Sequence, residues 1–204
     1  MHPLVSLVKQ TVETFILENK IPFLSENFPK EFLEKQAGVF VTIKKDGQLR
    51  GCIGTYLPTK KNIAEEIIAN AIAAAIYDYR FNPIQKEELP YLIYEVNILT
   101  LPEFVTTKKV AEPLNNFFIR INQSNLLNPK KFGIIVKTIP LLNPSTTKEK
   151  RNNNHSLSKN GLLLPNLKGI DDIYQQILTV CLKASIDPNK ENFLIYRFRT
   201  QEFV

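Results

Sequence analysis

Leu4, Val8, Val12, Phe15 and Ile16 recur at helical spacing, while Lys9, Glu13 and Glu18 fall on other faces, which predicts an amphipathic helix over Leu4–Glu18. From Gly38 the period becomes two. Val39, Val41 and Ile43 alternate with other residues, Asp46-Gly47 supplies a turn that tolerates positive φ, and the pattern resumes from Gln48. The expectation is an antiparallel hairpin of Val39–Lys44 with Gln48–Ile53. Asn62 followed three residues later by Glu65 resembles a helix-start cap, and Ile63, Ile67, Ala71 and Ala74 mark the buried face of a helix over Asn62–Tyr77. Ala69, Ala71, Ala73, Ala74 and Ala75 make that helix thin, so another element can approach it closely.

Leu92, Tyr94, Val96 and Ile98 alternate with Ile93, Glu95, Asn97 and Leu99, which reads as a strand over Tyr91–Leu99 with Glu95 and Asn97 on one side. Further on, Asn115–Ile121 reads as a short helix and Phe132–Lys137 as a strand. Residues 143–160 are Asn, Ser, Thr and Lys with almost nothing apolar to offset the cost of ordering them, so a mobile loop is expected. A short strand at Gly161–Pro165 follows, then a helix with Ile170, Ile173, Ile177, Val180, Cys181 and Ala184 inward, then a strand over Phe193–Arg199. The fold class is α+β, a mainly antiparallel sheet flanked by helices, in one domain over residues 1–204.

Composition narrows the function classes. Hydrophobic residues make up 44% of the 204 and charged residues 23%, the balance of a globular protein. No apolar run approaches the roughly 20 residues of a membrane span, and no charged n-region precedes a greasy core at the start. Two cysteines, Cys52 and Cys181, are too few for a disulfide framework and suit a reducing compartment, so the cytoplasm is expected. The net charge of +6 raises nucleic-acid binding, but the excess is scattered lysine plus Lys148, Lys150, Arg151 and Lys159 in the polar stretch, with no basic helix. A solvated basic surface accounts for it, and nucleic acid ranks third among the function classes.

The candidate chemistry centres on Arg50-Gly51-Cys52-Ile53-Gly54-Thr55. Glycines let backbone amides approach a ligand, and an arginine lowers a neighbouring thiol's pKa, so one reading is a thiolate nucleophile or an anion-binding turn. The other is packing: the glycines serve a bulge or a close strand–helix contact and the cysteine fills a small gap. The residues alone favour packing, because a cysteine nucleophile needs a base and only His2 and His155 occur. Cys181 sits at a core position of its helix and takes no role. No Cys/His cluster has zinc-ligand spacing, and Gly-Cys-Ile-Gly is neither a phosphate-binding loop nor a dinucleotide fingerprint, so neither metal nor cofactor is expected. Asp78, two residues before Arg80 at a helix end, fixes a turn in the plain reading.

Taken together, Phe40-Val41-Thr42-Ile43, Lys45-Asp46-Gly47, Leu49-Arg50-Gly51-Cys52-Ile53-Gly54 and the alanine-rich helix running into Asp78-Tyr79-Arg80-Phe81 resemble the AMMECR-one domain family. Glu87-Glu88-Leu89, Gly161-Leu162-Leu163-Leu164-Pro165 and Cys181-Leu182-Lys183-Ala184 extend the match. The resemblance implies two unequal subdomains, the cysteine motif in the larger one near a cleft, and no established activity. It also implies association with Memo-like or radical-SAM proteins. The chain departs from the family pattern at Tyr79, where the family often has proline, and in the longer 143–160 segment. Two function classes follow. One is an enzyme or modification component using Cys52 with Arg50, with Gly51, Gly54, Thr55, Asp78, Arg80, Glu95 and Asn97 around them. The other is a noncatalytic adaptor that binds a protein through the same region. The sequence sets no oligomeric state.

Overall fold

The computed structural model describes residues 1–25, 27–139 and 158–204. Most of the polar 143–160 segment lies outside the described residues. The helices are α1 (Pro3–Glu18), α2 (Glu31–Glu34), α3 (Ile63–Ile76), α4 (Leu114–Ser124) and α5 (Ile173–Lys183). The strands are β1 (Gly38–Lys45), β2 (Gln48–Gly54), β3 (Leu92–Leu99), β4 (Glu103–Lys108), β5 (Gly133–Thr138), β6 (Asn160–Leu163), β7 (Phe193–Phe198) and β8 (Thr200–Phe203). They form two four-stranded antiparallel sheets, in the orders β2-β1-β3-β8 and β4-β7-β5-β6. The chain divides accordingly: Met1–Leu101 with Thr200–Val204 form one unit, and Pro102–Arg199 the other.

In the first unit the expected signals act as read. Asn62 Oδ1 accepts from the Glu65 amide at 2.9 Å and starts α3. Asp46 and Gly47 take positive φ of 52° and 75° and close the β1–β2 hairpin, as the right-handed twist of the strands requires. Val39, Val41 and Ile43 are buried with Ile63, Ile67, Ala71 and Ala74 of α3 and with Leu4, Val8 and Val12 of α1. A 3-10 turn over Lys86–Tyr91 leads into β3, so Tyr91 belongs to the turn and not to the strand.

The second unit has an aromatic and aliphatic core in which Phe117 of α4 meets Phe193 edge-on, at 5.9 Å between ring centroids. Two expectations shift here, and one strand is new. β4 was not read from the sequence, because Glu103-Phe104-Val105-Thr106-Thr107-Lys108 has no clean alternation of apolar residues. The strand expected from Gly161 to Pro165 runs instead from Asn160 to Leu163. The strand expected over Phe193–Arg199 ends at Phe198; after Arg199 the chain enters β8, which pairs with β3 in the first unit's sheet.

Candidate functional site

β2 carries the Arg50–Gly54 segment, and its register against β1 sorts the side chains onto two faces. Ile43 lies opposite Gly51 and Val41 opposite Ile53, on the face covered by α3. A Cβ on Gly51 would fall well inside the van der Waals sphere of the Ala74 carbonyl oxygen. Gly51 is therefore where the alanine-rich helix touches the sheet backbone to backbone, a contact that a side chain larger than hydrogen forbids. On the other face Thr42 lies opposite Cys52 and also opposite Glu95 of β3, while Phe40 lies opposite Gly54 and Asn97. Cys52, Thr42 and Glu95 thus form one row across three strands, with Gly54, Phe40 and Asn97 beside it.

Within the row, the Thr42 hydroxyl donates to Cys52 Sγ at 3.3 Å. The thiol is half-buried and in no disulfide. Glu95 is joined to Lys44 by an ion pair, and Asn97 is buried.

The backbone of Cys52 is held from the side of β2 away from β1. Its N–H donates to Asp78 Oδ2 at 2.9 Å, and its carbonyl oxygen accepts from Arg80 Nη2 at 3.2 Å. Asp78 and Arg80 are themselves locked together: Arg80 Nε donates to Oδ1 at 2.8 Å, Nη2 to Oδ2 at 2.6 Å, and the Arg80 amide to Oδ1 at 3.2 Å. The Asp78 carboxyl is 2% exposed, and the Arg80 guanidinium, outweighing the opposing effect of burial, holds its pKa at about 2. With Tyr79 in the middle, the turn still forms, through side chain and backbone together.

Arg50 points elsewhere. It donates from Nε and Nη2 to Glu88 of the 3-10 turn, at 2.9 and 2.8 Å, in a forked pair with both side chains 16% exposed. Glu88 also accepts from Lys45 Nζ at 3.2 Å and from the Gln85 amide at 3.0 Å. The Arg50 bond, outweighing burial, holds Glu88 at about 2. Both Arg50 and Arg80 stand near the Phe81 ring, at 6.0 and 5.5 Å from its centroid.

Thr55 turns toward α3. Its hydroxyl donates to Glu66 at 2.7 Å, and Glu66 also accepts from the Thr59 amide and hydroxyl and from the Lys60 amide, at 2.7, 2.9 and 2.8 Å. Glu66 is 1% exposed; burial pushes its pKa up, but these donors together leave it below the ordinary carboxylate value. Neither Glu66 nor Glu88 stood out in the sequence as a site residue. Their donors lie up to 43 positions away, and only the Glu87-Glu88-Leu89 match pointed near one of them. Thr42 was missed as the thiol's neighbour, although the hairpin register carries that information.

Among the described residues, no three or more His, Cys, Asp and Glu side chains gather as metal ligands would. None of the described helices is long and apolar enough to cross a membrane. A hollow of about 220 Å³ is lined by Leu7, Gln10, Leu24 and Phe28 among others and includes no residue of the cysteine segment.

With the cysteine segment, the turn that holds it and the two sheets placed, the match of a sequence family over nearly the whole chain decides the kinship: the AMMECR1 model aligns with residues 5–203. The chain belongs to the AMMECR1 family. A family protein from Thermotoga maritima is 37% identical over 99% of this chain and 97% of its own length. One from Clostridium acetobutylicum is 34% identical over 96% of this chain, which spans only 34% of that longer protein. The crystal structure of an uncharacterized protein from Pyrococcus horikoshii superposes with a TM-score of 0.73 at 26% identity, covering 98% of this chain and 88% of that one.

Proposed function

We propose that this AMMECR1-family chain is a noncatalytic binding component that receives a protein partner on the surface around Cys52. The observation that carries this reading is the commitment of the segment's charged groups. Arg50 is taken up by Glu88, and Asp78 with Arg80 by the backbone of Cys52. What stands outward beside them is aromatic: Tyr77 is 71% exposed and Tyr79 94%. Exposed tyrosines rimmed by charge are the material of protein interfaces. The Clostridium relative is compatible with the reading, since there the matching region is about a third of a longer chain. Memo-like and radical-SAM proteins are the first partners to test.

The experiment is recovery of the tagged chain from its native cell under mild conditions. A stoichiometric protein should be retained, retention should survive Cys52→Ser, and it should drop with Tyr79→Ala. Recovery of the chain alone, or loss of the partner on Cys52→Ser, defeats the reading. A second reading, thiol chemistry at Cys52, has one observation in its favour, the Thr42 hydroxyl donating to Sγ. Cys181 is an internal standard for it, being 1% exposed with burial pushing its pKa up to about 12. Iodoacetamide labelling of Cys52 in the native protein well ahead of Cys181 is the result this second reading requires.

A further inference from the structure

Among the described residues β2 has a strand on one side only, with β1 between it and β3. An unpaired strand edge is a row of open N–H and C=O groups, and folded proteins cover such edges or blunt them. The Thr55 amide donates to the Val39 carbonyl oxygen at 3.0 Å, which fixes the phase of the ladder. In that phase Val39–Thr55, Val41–Ile53 and Ile43–Gly51 are the hydrogen-bonded pairs. Cys52, opposite Thr42, is a pair whose backbone groups turn away from β1. The close approach of side chains in such a pair also explains the Thr42–Cys52 contact.

The outward N–H of Cys52 donates to a carboxylate, and its outward C=O accepts from a guanidinium, of one ion pair two residues wide. A neighbouring strand would offer the same two groups, an acceptor and a donor, at the same place. We propose that Asp78 and Arg80 are a side-chain surrogate for a missing neighbour strand: they close the β2 edge at Cys52, and the edge accepts an added strand when they are withdrawn. This role is independent of either functional reading of the site. The strand it excludes is the β2 of a second copy of this chain, because two identical edges meet about a two-fold axis with their open groups complementary. The bulge between Ile43 and Lys44 bends the other end of the hairpin, which leaves the stretch around Cys52 as the part in need of cover.

The test compares the full chain with Arg80→Ala and with Asp78→Ala/Arg80→Ala, by residue-resolved hydrogen exchange and sedimentation velocity. The amide of Cys52 should exchange roughly tenfold faster or more in the double variant, which takes away its acceptor, while that of Ile67 in α3 keeps its protection. Both variants should also sediment increasingly as dimer as concentration rises, where the parent chain stays at its own size. Should the double variant not fold, Arg80→Ala decides alone through sedimentation, since it removes a side chain that is 42% exposed and opens the Cys52 carbonyl oxygen while the Asp78 carboxylate stays on the Cys52 N–H; no gain of dimer there overturns the proposal. Unchanged exchange at Cys52 in the double variant overturns the proposal. So does faster exchange with no gain in self-association.

Discussion

The helix against the first unit's β1 and β2 is rich in alanine, and the helices of the second unit carry phenylalanine, isoleucine and valine. In both units a strand glycine faces a helix, but it meets different things. Gly51 meets the carbonyl oxygen of Ala74, which has nowhere to go. The nearest atoms to a Cβ on Gly161 are the Ala184 Cβ at 2.9 Å and, both at 3.0 Å, a Val180 methyl and the Val180 carbonyl oxygen, a milder crowding than at Gly51. A thin helix brings main chain against main chain, so the polar groups at the ends of that contact must be satisfied by buried carboxylates, Glu66 at one end of α3 and Asp78 just past the other. In the second unit the ion pairs lie at the surface, as Lys130–Asp171 and Lys190–Asp187 do. The Arg50–Gly54 segment lies where the backbones of helix and strand meet.

If this contrast is right, the largest effect belongs to Gly51→Val, which should cost more than about 4 kcal/mol, because the carbonyl it strikes is part of a helix. Urea denaturation followed by circular dichroism measures it, and a variant within about 1 kcal/mol of the parent would break the comparison. Glu66→Ala comes next, at about 3 kcal/mol, since four donors from Thr55, Thr59 and Lys60 lose the buried carboxylate that gathers them. Gly161→Ala should cost about 1–2 kcal/mol, because the atoms its Cβ meets stand farther off than the Ala74 carbonyl oxygen does at Gly51.

Acid sharpens the contrast. Asp78 and Glu88 both titrate near 2 in the folded chain, below their ordinary values, so they contribute stability above those values that is lost as pH falls from about 4.5 toward 2. Hydrogen exchange across that range should show the Cys52 and Glu88 regions losing protection as these groups protonate; protection unchanged down to pH 2 would sink the assignment. The smallest effect belongs to the second unit's surface. Arg120→Ala removes the forked pair with Glu112, in which Arg120 is 47% exposed, and should cost at most about 1 kcal/mol.

The elements that carried strong local signals were legible in the sequence. Asn62 with Glu65 starts α3, Asp46-Gly47 closes the hairpin, and the alternation from Leu92 runs as β3. Glu95 and Asn97 do share the face of Cys52, because strand alternation and register decide that without long-range knowledge. The partner of Arg50 was not legible. Nothing near Arg50 in sequence favours Glu88 over another acid, and the pairing follows only once the 3-10 turn is laid beside the hairpin. The division of the C-terminal segment between two sheets was hidden for a similar reason. The alternation that predicts a strand stops at Arg199, Thr200-Gln201-Glu202 carries no apolar signal of a second one, and the bend at Arg199 answers to which sheet has a place for each half.

That bend also orders events in time. The β1–β2 hairpin joins residues a few positions apart and can close within microseconds of its synthesis. The β3–β8 ladder, in contrast, pairs Val96 with Phe203, so β3 must wait, one flank open, while the whole of the second unit is translated. A nascent chain halted before Thr200 would hold a three-stranded sheet with β3 as its bare margin, and this is the stage at which chaperone capture or wrong pairing competes with folding.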